Sequence, residues 1–138
     1  PEFKTYQQQV VKNAQALASA LTGHGFRITS GGTDNHLMLV DLTVKDSELT
    51  GKDAEKWLEL AGLITNKNGI PDDPRPPMIT SGLRLGTPAT TTRGFKEPEM
   101  TQIADWINRT IESKGDEGVM STVREEVRTL CARFPLQH

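Results

Sequence analysis

The chain has 138 residues, about one domain's worth. It is 35% hydrophobic and 25% charged, with a formal net charge of −2, which supports an ordinary soluble core. No block of like charges stands out, which argues against a nucleic-acid partner or a membrane-surface role, and no apolar run approaches the roughly 18 residues of a membrane span.

The stretch "PEFKTYQQQ" lacks the apolar core of a signal peptide. Tyr6, Val10, Ala14, Leu17, Ala18 and Leu21 fall on one helical face, and Gly23 and Gly25 end that run. The pattern begins almost at residue 1, as expected of a segment taken from within a longer protein. Phe26-Arg27-Ile28 predicts a short strand, "SGGTDN" at 30–35 a turn, and "HLMLVDL" at 36–42 a buried strand. Thr50, with Asp53 three residues on, reads as the N-cap of a helix within 49–62. Its apolar positions are Ala54, Trp57, Leu58 and Ala61, and Gly62 stops it. Leu63-Ile64-Thr65 predicts another short strand.

The stretch "NKNGIPDDPRPP", 66–77, carries four prolines, and these predict an irregular loop. A loop of this length inside a compact domain is often functional. In the run after it, Ile79, Ser81, Leu83 and Leu85 alternate with Thr80, Gly82, Arg84 and Gly86, which predicts a strand with one apolar face. Thr87-Pro88 reads as an N-cap followed by proline at the first helical position, closed by Gly94. Met100, Ile103, Ala104, Ile107 and Ile111 predict a second long helix ending near Gly115. Val119, Val123, Val127, Leu130 and Phe134 predict a third, ended by Pro135. No internal repeat is visible. The order of elements predicts an α+β layer with helices on one face of a small sheet.

Arg84 is the sharpest chemical signal. Its planar fork of donors matches a carboxylate or a phosphate. Buried and unpaired it would be costly, so a partner is expected: an internal acidic residue or an external anion. The small neighbours Thr80, Gly82 and Gly86 leave space for the second. Asp34 and His36 lie two apart and could form a dyad, but no serine or cysteine nucleophile is placed beside them by spacing, and a turn followed by a strand explains both. The run Thr90-Thr91-Thr92-Arg93 fits a phosphate cradle or plain surface threonines. Lys67 fits a surface position or an anionic ligand. Cys131, the single cysteine, lies on the apolar face of the last predicted helix and reads as core packing. It cannot form an internal disulfide, which fits an intracellular setting. The three histidines and this cysteine lie far apart and have no metal-ligand spacing.

Taken together, "FRITSGGTDNHLMLVDL", "GLITNKNGIPDDPRPPMITSGLRLGTPATTTRGFKE" and the closing "RFP" resemble the C-terminal part of serine hydroxymethyltransferase, and "PEFKTYQQQVVKNAQAL" is similar to that family's entry helix. The resemblance implies the small C-terminal domain of a fold-type I pyridoxal phosphate enzyme, with a short, mainly antiparallel sheet. It implies a pyridoxal 5'-phosphate-dependent transferase that moves a one-carbon unit between serine and tetrahydrofolate, making glycine. Arg84, in "SGLRLGTPA", then corresponds to the arginine that binds the substrate carboxylate. Asn68, the second asparagine of "NKN", and Pro76, Pro77 and Met78 fall in the folate region. Many bacterial members carry Ser-Pro-Phe at the last three positions; Pro76 and Met78 depart from it, which leaves backbone contacts there.

The family's cofactor lysine lies in a threonine-rich run ending His-Lys, and this chain has no His-Lys dipeptide. The resemblance therefore implies that residues 1–138 form a single C-terminal domain of a longer enzyme, inactive alone, with no catalytic residue of its own. The parent is implied to be a cytoplasmic homodimer, with no metal, nucleic acid or membrane involved. The alternative is a stand-alone, non-catalytic module that binds folate or a partner chain without pyridoxal phosphate.

Overall fold

The computed structural model describes residues 2–31, 37–63, 65–70, 72–86 and 96–133. The expectations for Asp34, His36, Ile64, Thr87, Pro88, 90–93, Gly94, Phe134 and Pro135 lie outside the described residues, as does the side chain of Tyr6.

The elements in chain order are α1 (Glu2–Gly23), β1 (Arg27–Gly31), β2 (Leu37–Asp41), α2 (Gly51–Leu60), β3 (Asn66–Asn68), β4 (Gly82–Gly86), α3 (Glu97–Glu112) and α4 (Glu117–Arg133). The four strands form one antiparallel sheet in the order β1-β2-β4-β3. Period-two alternation sorts its faces. Met38 and Val40 of β2 and Leu83 and Leu85 of β4 are buried against the helices, while Arg84 is exposed on the opposite side. This is the α+β arrangement expected from the element order.

The core lies between the sheet and the helices. Ala14, Leu17 and Leu21 of α1 meet Met100, Ile103, Ala104 and Ile107 of α3 there. Gln9 of α1 donates from Nε2 to Glu97 Oε1 at 2.6 Å, tying α1 to the first residue of α3. Arg109 of α3 forks onto Glu126 of α4 at 2.6 and 3.1 Å and also reaches Asp105 at 2.9 Å. The Arg109 guanidinium, followed by the indole N–H of Trp106, holds the Glu126 carboxyl below its ordinary range. Lys45 donates from Nζ to the His24 carbonyl at 2.5 Å and to Glu112 at 2.8 Å. Cys131 is half-buried and packs against the core. Among the described residues no helix is long and apolar enough to cross a membrane, and no cluster of histidine, cysteine or acidic residues is arranged to hold a metal.

Helix α2 follows its sequence signals closely. Thr50 is its N-cap, and Thr50 Oγ1 accepts the Asp53 N–H at 3.1 Å. At the other end, Gly62 sits at φ 93°, its N–H donates to the Glu59 carbonyl at 3.0 Å, and the Leu63 N–H donates to the Leu58 carbonyl at 2.8 Å. Those two bonds make a Schellman closure. They also correct the expected strand at 63–65. The Leu63 N–H is used by the helix end and is not free for a ladder, while its side chain packs on the core. The strand forms three residues later, as β3, inside the stretch expected to be irregular. None of the four prolines of 66–77 lies within Asn66–Asn68, so its backbone donors remain available for pairing with β4.

Leu58 is fully buried, whereas Leu60, two residues on, is 43% exposed. In urea unfolding of the 138-residue chain, Leu58→Ala is expected to lower stability by about 2–5 kcal/mol and Leu60→Ala by less than about 1 kcal/mol. Equal effects would place the core elsewhere.

Candidate functional site

Arg84 is the middle residue of β4, which is hydrogen-bonded to β2 on one edge and to β3 on the other. Its cross-strand neighbours are Leu39 and Asn66. Leu83 and Leu85 are drawn into the core, so alternation turns Arg84 outward. The side chain is exposed, and among the described residues it has no hydrogen bond or ion pair. Of the two partners expected for it, an internal acidic residue is not found among the described residues. Its fork faces outward and is available to an external anion.

Asn68 pairs with Gly82, one alternation step from the Arg84–Asn66 pair, and so lies on the same open face. Its side-chain amide donates to the Gly69 carbonyl at 2.9 Å. Gly82 is needed between them. A Cβ there would stand 2.8 Å from the Asn68 carbonyl oxygen and 2.9 Å from the Val40 carbonyl oxygen, so both flanking strands would have to part. Lys67 alternates to the helix side. Its N–H donates to Glu55 Oε2 at 2.8 Å, and its ammonium stands 3.7 Å from Glu55 Oε1. Its two sequence readings are a surface position and an anionic ligand; the acidic group beside it here is Glu55 of the chain itself.

The loop between β3 and β4 is tightly organised. Both oxygens of Asp73 are used: Oδ1 accepts from the Arg75 N–H at 2.9 Å and the Ser81 hydroxyl at 2.7 Å, and Oδ2 accepts from the Ser81 N–H at 2.8 Å and the Ile70 N–H at 3.2 Å. The Arg75 guanidinium donates to the carbonyls of Leu49 and Ser47, each at 2.7 Å, and to the Ser81 hydroxyl at 3.0 Å. The Pro76 carbonyl accepts the N–H groups of Ile79 and Thr80 at 2.9 and 3.0 Å, so it is already engaged. Pro76 and Pro77 are exposed, and Met78 is 79% exposed. Thr80 is buried at φ 57°, which ends the extended run and explains why β4 starts at Gly82 and not near Met78.

The structure thus puts Arg84 and Asn68 on one face. It leaves Pro76, Pro77 and Met78 at the exposed end of the loop. Asp73, Arg75 and Ser81 are the residues that sequence reasoning passed over. Two signals pointed to them: an aspartate and an arginine flanking a proline in a turn-rich stretch, and a serine among the positions assigned to the buried face.

Desolvation raises the Asp73 carboxyl. The hydrogen bonds from the Arg75 N–H, the Ser81 hydroxyl and N–H, and the Ile70 N–H outweigh it and hold the group below its ordinary value. A depressed folded value means that this contribution to stability is complete above the unfolded value of about 3.9 and is lost as the pH falls through the folded one. Asp73→Asn is therefore expected to be less stable than the original chain in urea at pH 7, with the gap closing progressively below about pH 4. A gap that stays constant across that range would show that the charge of Asp73 contributes nothing.

The serine hydroxymethyltransferase family model matches residues 1–107. Over 136 residues the chain is 54% identical to the serine hydroxymethyltransferase of Acinetobacter radioresistens and 55% identical to that of Xanthomonas oryzae pv. oryzae, strain PXO99A. Each match covers 99% of this chain and 32% of the relative, so the chain spans a minor part of the length of the curated relatives that it matches. Alignment at this identity over nearly every residue, together with the family model's coverage, means that the chain belongs to the serine hydroxymethyltransferase family.

Proposed function

We propose that residues 1–138 are the C-terminal domain of a pyridoxal phosphate-dependent serine hydroxymethyltransferase, a cytoplasmic homodimer that interconverts serine plus tetrahydrofolate and glycine plus 5,10-methylenetetrahydrofolate. The single observation that carries this reading is the outward-facing guanidinium of Arg84, exposed and without an acidic partner among the described residues. Kinship with the serine hydroxymethyltransferases of Acinetobacter radioresistens and Xanthomonas oryzae pv. oryzae supplies the reaction class.

In this reading Arg84 receives the carboxylate of serine or glycine through two parallel N–H···O bonds, which fix both its position and its rotation. That is a positioning role: it removes freedom from the substrate before chemistry begins. Asn68 lies on the same face and borders the tetrahydrofolate site, with Pro76, Pro77 and Met78 as its outer wall. Pro77 and Met78 act there through backbone and shape, since the Pro76 carbonyl is already engaged.

In this reading the described residues do not by themselves form a pyridoxal phosphate site. Lys67, the lysine on the strand beside Arg84, lies on the opposite side of the sheet and is held by Glu55. The cofactor's lysine and electronic partners are assigned to the remainder of the enzyme, and alone this chain is inactive. The cofactor supplies the electron sink; this chain supplies orientation.

In the full-length enzyme, Arg84→Lys is expected to lower kcat/KM for serine by about 10- to 100-fold, the cost of losing one charge-assisted hydrogen bond of a bidentate pair. An unchanged kcat/KM removes Arg84 from the site. In a lysate of the source cells, an antibody to residues 66–78 is expected to detect a band well above the 15.2 kDa of this chain. A band at 15.2 kDa would favour the stand-alone binding module.

A further inference from the structure

We propose that Asp73 is a positioning residue that couples the amino-acid carboxylate site to the folate site, an inference that rests on the reading of Arg84 and Asn68 above. Both carboxylate oxygens of Asp73 are taken up by the chain itself, through four hydrogen bonds from Ile70, Arg75 and Ser81. What they join is informative. Ile70 lies two residues after Asn68, and Ser81 lies three residues before Arg84. One carboxylate therefore ties the exit of β3 to the entrance of β4.

The joint is reinforced from outside. Arg75 anchors the loop to the carbonyls of Ser47 and Leu49, and it also reaches the Ser81 hydroxyl. The first two N–H groups of α2, from Gly51 and Lys52, donate to the carbonyls of Thr80 and Ile79 at 3.0 and 2.9 Å. Between these anchors Thr80 is held at φ 57°, a conformation that a β-branched residue rarely adopts. Such strain persists only where the surroundings over-determine it. The conformation of 69–81 is therefore imposed by its anchors, and Asp73 is the anchor that touches both ends. Loosening it frees the exit of β3 at Ile70 and the entrance of β4 at Ser81, the two strand ends next to Asn68 and Arg84, so both substrates are affected.

The test uses the full-length holoenzyme and separate KM values for serine and tetrahydrofolate. Asp73→Asn is expected to raise both, each by about tenfold, with kcat per cofactor-loaded site changed by less than about threefold. Arg84→Lys should move the serine KM and Asn68→Ala the tetrahydrofolate KM. If these two controls behave so and Asp73→Asn moves neither KM, or only one, the coupling is overturned and the site reading stands. If Arg84→Lys moves nothing, the site reading fails and the coupling with it. A purely structural Asp73 would lower the yield of folded enzyme and leave both KM values in place. Should Asp73→Asn fail to fold, Ser81→Ala removes one of the four bonds to Asp73. It is expected to raise both KM values by about threefold, and unchanged values would overturn the coupling equally.

Discussion

Strand β4 is hydrogen-bonded along both edges, and the outward direction of Arg84 depends on that pairing. Between two partners the strand stays extended, and its side chains must alternate. Leu83 and Leu85 fill the core, so Arg84 has one direction left. A slip of one residue would expose two leucines and drive a guanidinium into the apolar layer. Both consequences are unfavourable, and the second is severe because a buried charge without a partner loses its hydration. The register is thus protected from both sides by the hydrophobic effect and by charge.

Helix α2 sets the two segments that flank this strand. Its first N–H groups would have no partner within the helix, and they take the carbonyls of Ile79 and Thr80 just ahead of β4. Its last turn closes on Gly62 and Leu63, which fixes where the chain leaves for β3. Glu55, on the same helix, then receives the Lys67 N–H and ammonium. Capping, usually a local matter, here carries long-range information: both ends of one short helix are wired to the strands that present Arg84 and Asn68.

The outer helices do different work. Arg109, Glu126 and Trp106 join α3 to α4, while Gln9 and Glu97 join α1 to α3. These bonds lie among the helices, on the side of the sheet away from the open face. They hold the layer that buries Met38, Val40, Leu83 and Leu85. The side that carries Arg84 sets Leu39 and Asn66 beside it and leaves its guanidinium exposed.

Much of this was legible in the residues themselves. The 3.6-residue spacing of Val10, Ala14, Leu17 and Leu21, and of Met100, Ile103, Ala104, Ile107 and Ile111, predicted the helices α1 and α3, because burying one face is what stabilises a helix. The Thr50 cap and the Gly62 stop predicted α2, because those signals are local. The alternation around Arg84 predicted that it would stand apart from Leu83 and Leu85. The family resemblance was equally plain in the middle stretch. Three things were decided only by tertiary contact. Leu63 gave its N–H to a helix end, so the strand moved on to Asn66–Asn68, which has little strand propensity of its own. Thr80 took a left-handed conformation that a threonine rarely adopts by local preference, because α2 and Asp73 hold the segment around it. Asp73, Arg75 and Ser81, spread over nine residues of a proline-rich loop, became one network. Local patterns report what a segment prefers; which donor meets which acceptor across the fold depends on packing, which those patterns do not encode.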